Sequence, residues 1–359
     1  MGAFLIRRLT YGALVLFGVI TLVFVLFNIL PGDPARMILG QRADMSSVEA
    51  IRKELGLNDP VHIQYLHFLN DISPVSFHQS ENQDARWFFN EEVYGDHLTI
   101  VDNGSLMIVI KEPYLRKSYQ SRRNVSEILA EAFPMTLLLA SVSMLFAMIT
   151  GVFIGLVAAI VNKSFVNKLI LIFSVLGMSL PSFFAAVLFA WIFAYVLSSY
   201  TGLSMFGSLY EVDDAGGGEV LMLKNLILPA FTLGIRPLAI IVELTRTTLM
   251  EVMSQDYIRT ASAKGLKIGR VIGLHALRNA LNPVITAVSG WFASLMAGAV
   301  FVEYVFDWKG IGVVIVDALE KYDLPVIMGS VLLIAVMLIL INIVVDILYG
   351  FLDPRARIT

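Results

Sequence analysis

Met135-Thr-Leu-Leu-Leu-Ala-Ser-Val-Ser-Met-Leu-Phe-Ala-Met-Ile-Thr-Gly-Val-Phe-Ile-Gly-Leu-Val-Ala-Ala-Ile-Val161 passes without one charged side chain. A hydrocarbon core about 30 Å thick takes roughly 20 apolar residues as helix. In lipid, every backbone N–H and C=O must find its partner within the protein, which leaves helices and closed barrels, and a run this long reads as helix. Similar stretches recur near Tyr11–Leu30, Leu169–Ser199, Leu226–Met250, Val284–Val305 and Pro325–Tyr349. Together they predict an all-α integral membrane protein of about six transmembrane helices. The stretch from Leu169 is long enough to tilt or break, and Pro181, after Ser179-Leu180, marks the expected kink.

Composition agrees. Of 359 residues, 57% are hydrophobic and 15% charged, against roughly a quarter charged in a soluble domain. A formal net charge of -3 argues against nucleic acid as a partner. The absence of cysteine excludes disulfides, cysteine metal sites and a thiol nucleophile. Arg7 and Arg8 precede the run Tyr11–Leu30 as in a signal peptide. That run exceeds the roughly 7–15 residues of a signal core, and Pro31-Gly32-Asp33-Pro34 follows it in place of a cleavage site. An uncleaved first span is expected. Ile6 stands where a myristoylation motif at Gly2 would need Ser or Thr.

Lys and Arg set the expected orientation. Arg7 and Arg8, Lys163 and Lys168, Arg259 through Arg278, and Arg355 with Arg357 fall in alternate loops, whereas Glu211, Asp213, Asp214, Glu219, Asp307, Asp317, Glu320 and Asp323 fall in the others. Both termini are therefore expected in the cytosol. The chain divides into 1–30 (N-terminus and first span), 31–134 (a large extracytoplasmic loop) and 135–359 (spans two to six, with a cytosolic loop over 251–282). Within the outer segment, Ser46–Leu55 reads as an amphipathic helix ending at Gly56. Leu98–Val101 and Leu106–Ile110, around Asp102-Asn103-Gly104, read as a β-hairpin.

The loop after the fourth span is unusually structured. It reads as helix, a break at Gly265, then a second helix with Val271, Leu274 and Leu277 on one face, lying at the membrane surface and able to dock on another protein. The string Asp256-Tyr257-Ile258-Arg259-Thr260-Ala261-Ser262-Ala263-Lys264-Gly265-Leu266, followed by His275-Ala276-Leu277-Arg278-Asn279, closely resembles the coupling loop of ABC-importer permeases for dipeptides, oligopeptides and nickel. Further pieces fit the same family in order: Ile6-Arg7-Arg8, Pro31–Pro34, Leu55–Pro60, Pro134–Leu137, Ile227-Leu228-Pro229, Val302-Glu303, Gly310-Ile311-Gly312, Asp323-Leu324-Pro325, Asn342, Asp346 and Asp353-Pro354-Arg355.

The resemblance implies a type I ABC-importer permease arrangement, the first permease of a heterodimer. Asp256, Tyr257, Arg259, Thr260, Ala261, Lys264, Gly265, Leu266, His275, Leu277 and Arg278 would form the surface seated on an ATPase subunit. Two ATPases carrying ATP and Mg, a second permease and an extracytoplasmic binding protein would be the partners, with lipid around them and no cofactor on this chain. The expected role is a non-catalytic subunit translocating di- or oligopeptides across the inner membrane. Nickel chelate, sugar or peptide antibiotic stay open as cargo. Two departures bear on cargo: Tyr114–Tyr119 replaces the family's Gly-Asp-x-Gly stretch, and Glu243 replaces its usual arginine. The segment from about Pro74 to Pro113 looks inserted.

Other residues take simpler readings. Gly151-x-x-x-Gly155 suits helix packing. His275 has no second metal ligand at helical spacing, and His62 and His67 have no partner set. Asn342 and Asp346 suit contacts between helices. Arg236, near mid-span and just before Pro237, is costly in lipid unless it faces water or a carboxylate. With Glu243 two turns on, it either lines the translocation path or forms a structural pair. An ion-coupled secondary transporter is the competing class. It would call for an inverted repeat and ionisable groups at mid-membrane, and Arg236 is the one clear mid-span charge.

Overall fold

A computed structural model describes residues 2–29, 34–39, 44–54, 56–81, 85, 87–161, 164–212 and 218–352. Pro31-Gly32-Asp33, Leu55, Lys163, Asp213, Asp214, Asp353-Pro354-Arg355 and Arg357 lie outside them, with the readings placed there. In chain order the helices are α1 (Gly2–Ile29), α2 (Pro34–Leu39), α3 (Met45–Glu54), α4 (Val61–Ile72), α5 (Glu91–Tyr94), α6 (Val125–Val161), α7 (Ser164–Ser179), α8 (Ser182–Phe189) and α9 (Ser198–Thr201). There follow α10 (Ile227–Met253), α11 (Asp256–Ala263), α12 (Ile268–Arg270), α13 (Leu277–Phe306), α14 (Ile311–Glu320) and α15 (Leu324–Leu352). Strands are β1 (Val75–His78), β2 (His97–Asp102), β3 (Met107–Lys111), β4 (Tyr210–Val212) and β5 (Glu219–Leu221).

Among the described residues, five helices are long and apolar enough to cross a membrane, and a bent pair makes up to six. The pair is Asn167–Ser179 and Ser182–Val196, turned by 109°. The turn sits at Pro181, which has no N–H to give and keeps Leu180 from helical geometry. The kink expected there is thus a sharp corner.

Two boundaries move. The second span starts ten residues before Met135, at Val125, with Pro134 inside the helix. The fifth starts at Ile268 and not at Val284, because α12, a π-helical turn over Val271–Ala276 and α13 form one continuous apolar helix.

The chain divides into two compact units. The first comprises Met1–Arg8, Ala132–Val313 and Val336–Thr359. Its core is built around α10, which packs on α7, α8 and α13, with Leu139, Leu233, Ile241, Leu295, Val302 and Trp308 buried together. α6 approaches α10 through its glycines. A Cβ on Gly151 would lie 2.8 Å from Ile241 Cγ2, and one on Gly155 would lie 2.7 Å from the Val242 carbonyl oxygen. Gly151 and Gly155 are therefore packing residues, as their spacing suggested. Arg8 and Asp346 pair at 2.9 Å, joining the first and last spans.

The second unit comprises Leu9–Glu131 and Val314–Ala335. α3 ends where expected, and Gly56 has the left-handed φ of +67°. The hairpin exists as β2 and β3, with Gly104 at φ +81° in its turn, and gains a third strand in the order β1-β3-β2. Asp71 ties this sheet to α4. It accepts two hydrogen bonds from Arg116 (3.1 and 3.0 Å) and one from Tyr94 (3.0 Å), while Lys111 Nζ donates to its backbone carbonyl (2.6 Å). Asn70 holds Phe77 through both backbone groups (3.0 and 2.8 Å). Asp323, just before α15, holds the 118–119 segment, accepting from the Tyr119 N–H at 3.0 Å and from the Ser118 hydroxyl.

Candidate coupling surface and translocation face

The loop over 251–282 is a folded element. α11 begins with Asp256, whose negative charge suits a helix N-terminus. It ends at Lys264, and Gly265 turns the chain with φ +77°. A Cβ there would meet nothing within 4 Å, so the glycine is required by conformation and not by space. Lys267, extended at φ -60° and ψ 140°, starts the next helix.

Ile258 and Ala261, one turn apart on α11, are buried with Leu249, Val271, Ala276 and Ala280, and Leu156 and Ala159 of α6 pack against them. The loop is thereby seated on the ends of three spans. Asn279 Nδ2 donates to Tyr257 Oη at 2.9 Å, and Thr248 Oγ1 donates to the Ala280 carbonyl at 3.0 Å, closing the base.

The expected coupling residues divide accordingly. Ala261 is buried and Leu266 half-buried, both packed in the cluster that seats the loop, and Leu277 is half-buried. Asp256, Tyr257, Arg259, Thr260, Lys264, Gly265, His275 and Arg278 are exposed. Arg259 reaches back to Asp256 at 3.5 Å, a surface pair worth little by itself. With Lys267 and Arg270 also exposed, the surface is predominantly basic. The expected face of Val271, Leu274 and Leu277 does not form. Val271 is fully buried and Leu274 is 62% exposed, because this segment is the root of a long span and not a separate surface helix.

On α10, Arg236 and Glu243 are both exposed on the helix surface, and neither has an ion-pair partner among the described residues. Pro237 beside Arg236 is buried in the helix interior. The described part of this chain offers no carboxylate for a structural pair.

Sequence reading quoted Glu303 as part of the family pattern but gave it no role of its own. It lies inside the fifth span, fully buried. Its Oε2 accepts the Gly312 N–H at 2.6 Å, and Oε1 has no hydrogen-bond partner among the described residues. A Cβ on Gly310 or Gly312 would collide with this carboxyl group. Thr136 Oγ1 accepts the Ile311 N–H at 2.8 Å, and Trp308 Nε1 donates to the Met135 carbonyl at 3.0 Å. A glutamate followed seven and nine residues on by glycines is the signal that points to such a cradle.

Residues 151–358 match the family described as binding-protein-dependent transport system inner membrane component, and residues 1–85 match its N-terminal membrane component. The chain belongs to this permease family. Among curated relatives, a di/tripeptide transport system permease protein DppB of Pseudomonas aeruginosa is 33% identical over 372 residues, spanning 99% of both chains. A glutathione transport system permease protein GsiC of Salmonella typhimurium is 34% identical over 339 residues, 94% of each. The permease fold also resembles the solved inward-facing MetNI methionine ABC transporter. The TM-score is 0.50 at 16% identity, covering 63% of this chain and 97% of that one. This permease is a multi-pass inner-membrane protein.

Proposed function

We propose that this permease is one of two transmembrane subunits of an ATP-driven importer for short peptides. The observation that carries the reading is the 251–282 loop, an exposed basic surface fixed to the ends of three spans. Such an element transmits movement of a docked protein to the spans without a loose joint. Its charge suits an acidic cleft on an ATPase subunit. The sequence has no Gly-x-x-x-x-Gly-Lys-Ser/Thr loop, so ATP and Mg belong to two partner ATPases. The permease is then a gated, non-catalytic half-channel. Relatives named for dipeptides, tripeptides and glutathione support peptide cargo, and the full-length match supports a heterodimer with a second permease. The 31–134 segment would receive cargo from a binding protein outside, with both termini in the cytosol. Arg236 and Glu243 would line the path.

The test is uptake of a labelled tripeptide into proteoliposomes holding both permeases, both ATPases and the binding protein. Uptake should require enclosed ATP and survive a protonophore. Uptake that continues without ATP and collapses with the proton gradient sinks the reading.

A further inference from the structure

Within the first unit a groove of about 560 Å³ opens where α6, α7 and α10 meet. α6 and α10 run side by side in the same direction, with Gly151 against Ile241 and Gly155 against Thr245. α7 runs the opposite way, so that Gly177 faces Ile235 and Asn167 meets Arg246. No charged side chain lines the groove. Its one buried hydroxyl, Ser174 Oγ, donates to the Ala239 carbonyl (3.4 Å).

The groove has two different ends. Phe146 and Phe231 close one, their ring centroids 5.7 Å apart. Val157, Leu169 and Val242 mark the other. Along α10, from Phe231 to Val242, it runs about 16 Å at 1.5 Å per residue. That is close to half of a hydrocarbon core about 30 Å thick, the depth of one leaflet.

Cations stand just past the open end. Lys168 immediately precedes Leu169 and is exposed. Arg246 lies one turn beyond Val242, with its Nε donating to Asn167 Oδ1 at 3.0 Å. Neither has a carboxylate partner among the described residues. An apolar slot one leaflet deep, ending at two cations on the membrane face that carries the 251–282 loop, matches one kind of molecule.

We propose that one anionic phospholipid occupies this groove, with an acyl chain along α10 and its phosphate between Lys168 and Arg246. Both halves of the ligand are then accounted for. The chain covers Phe153 and Phe173, 66% and 68% exposed, and the phosphate neutralises two charges that have no carboxylate partner among the described residues. Bound there, the lipid would fill the space between α6, α7 and α10.

The experiment uses the whole complex in nanodiscs of equal phosphatidylglycerol and phosphatidylcholine. A photoreactive benzoylphenylalanine replaces Val157 and, separately, Leu169. After irradiation the intact chain is weighed. We expect adducts of phosphatidylglycerol in excess over phosphatidylcholine at both positions. Lys168→Gln should lower that excess about fivefold, the value of one basic residue at an anionic surface. A cross-link to another protein chain would show that a partner subunit covers the groove and would overturn the proposal. So would equal adducts of the two lipids, an excess unaffected by Lys168→Gln, or no adduct from either position.

Discussion

At the scale of single residues, Arg236 offers the sharpest test. A guanidinium stays charged at every physiological pH, and in hydrocarbon it persists only beside water, cargo or a carboxylate. The described residues supply no carboxylate partner. If Arg236 lines the path, it can meet a peptide's C-terminal carboxylate. Arg236→Met should leave complex abundance unchanged and slow import of free-acid peptides more than of amidated ones. Full abundance with equal uptake of both removes the pore role; reduced abundance with a uniform loss points to a structural pair across the partner interface.

His78 gives a second test at this scale. Burial, helped by the nearby positive charge of Lys111, pushes its pKa down from 6.5 to about 4. Its ring nitrogen Nε2 lies 2.9 Å from Ser76 Oγ. The unfolded segment therefore takes up a proton before the folded one does. Stability of the β1–β3 sheet should be constant above about pH 6.5 and fall as pH drops toward 4, by at most about 1.4 kcal/mol per unit. Hydrogen exchange of the sheet amides, corrected for intrinsic rate, checks this against His78→Gln. An identical pH slope in both proteins excludes His78 as the source.

At the scale of elements, what was legible follows from what is local. The apolar runs announced every span, the hairpin was readable from its turn, and Gly265 from its position between two helical patterns. Pro134 misled because a proline is a probable helix boundary, yet lipid-embedded helices accommodate one. The Val271 segment misled because its short-range pattern is that of a surface helix, whereas its burial is decided by α6 and α10. The Asp71–Arg116 pair was invisible for the same reason, since the partners of Asp71 are up to 45 residues away, whereas the Glu303 cradle left a local signal in Gly310 and Gly312. Gly265 carries the prediction here. Proline cannot take φ +77°, and it lacks the N–H that now donates to the Ser262 carbonyl at 3.0 Å. Gly265→Pro should leave the permease in the membrane but misplace the exposed face of α11. Co-purification of the ATPases should fall, or their hydrolysis should lose its response to loaded binding protein. Normal transport by this variant would rule out the loop as the coupling element.

At the scale of the whole molecule, the alternation of Lys and Arg predicts that the hairpin and the loop face opposite sides of the membrane. Because the chain has no cysteine, single cysteines report cleanly. Asn103 and Lys267 are both exposed. An impermeant thiol reagent added to intact cells should label Asn103→Cys and spare Lys267→Cys. The reverse pattern would invert the permease and detach the loop from any cytosolic ATPase.

The merging of α12, the π turn and α13 also makes a lever. From Ile268 to Phe306 it holds 39 residues, about 58 Å at 1.5 Å per residue. Its root is gripped by α11, and its far tip ends at the Glu303 cradle. A tilt of about 10° at the root would sweep that tip through roughly 10 Å over such a length, wider than a peptide backbone. The irregular spots, the π turn and Pro283, both sit near the gripped end, where a pivot belongs. Beyond them the shaft is regular. A small closure of the docked partner on one side of the bilayer would therefore arrive on the other as a displacement large enough to open or shut a passage.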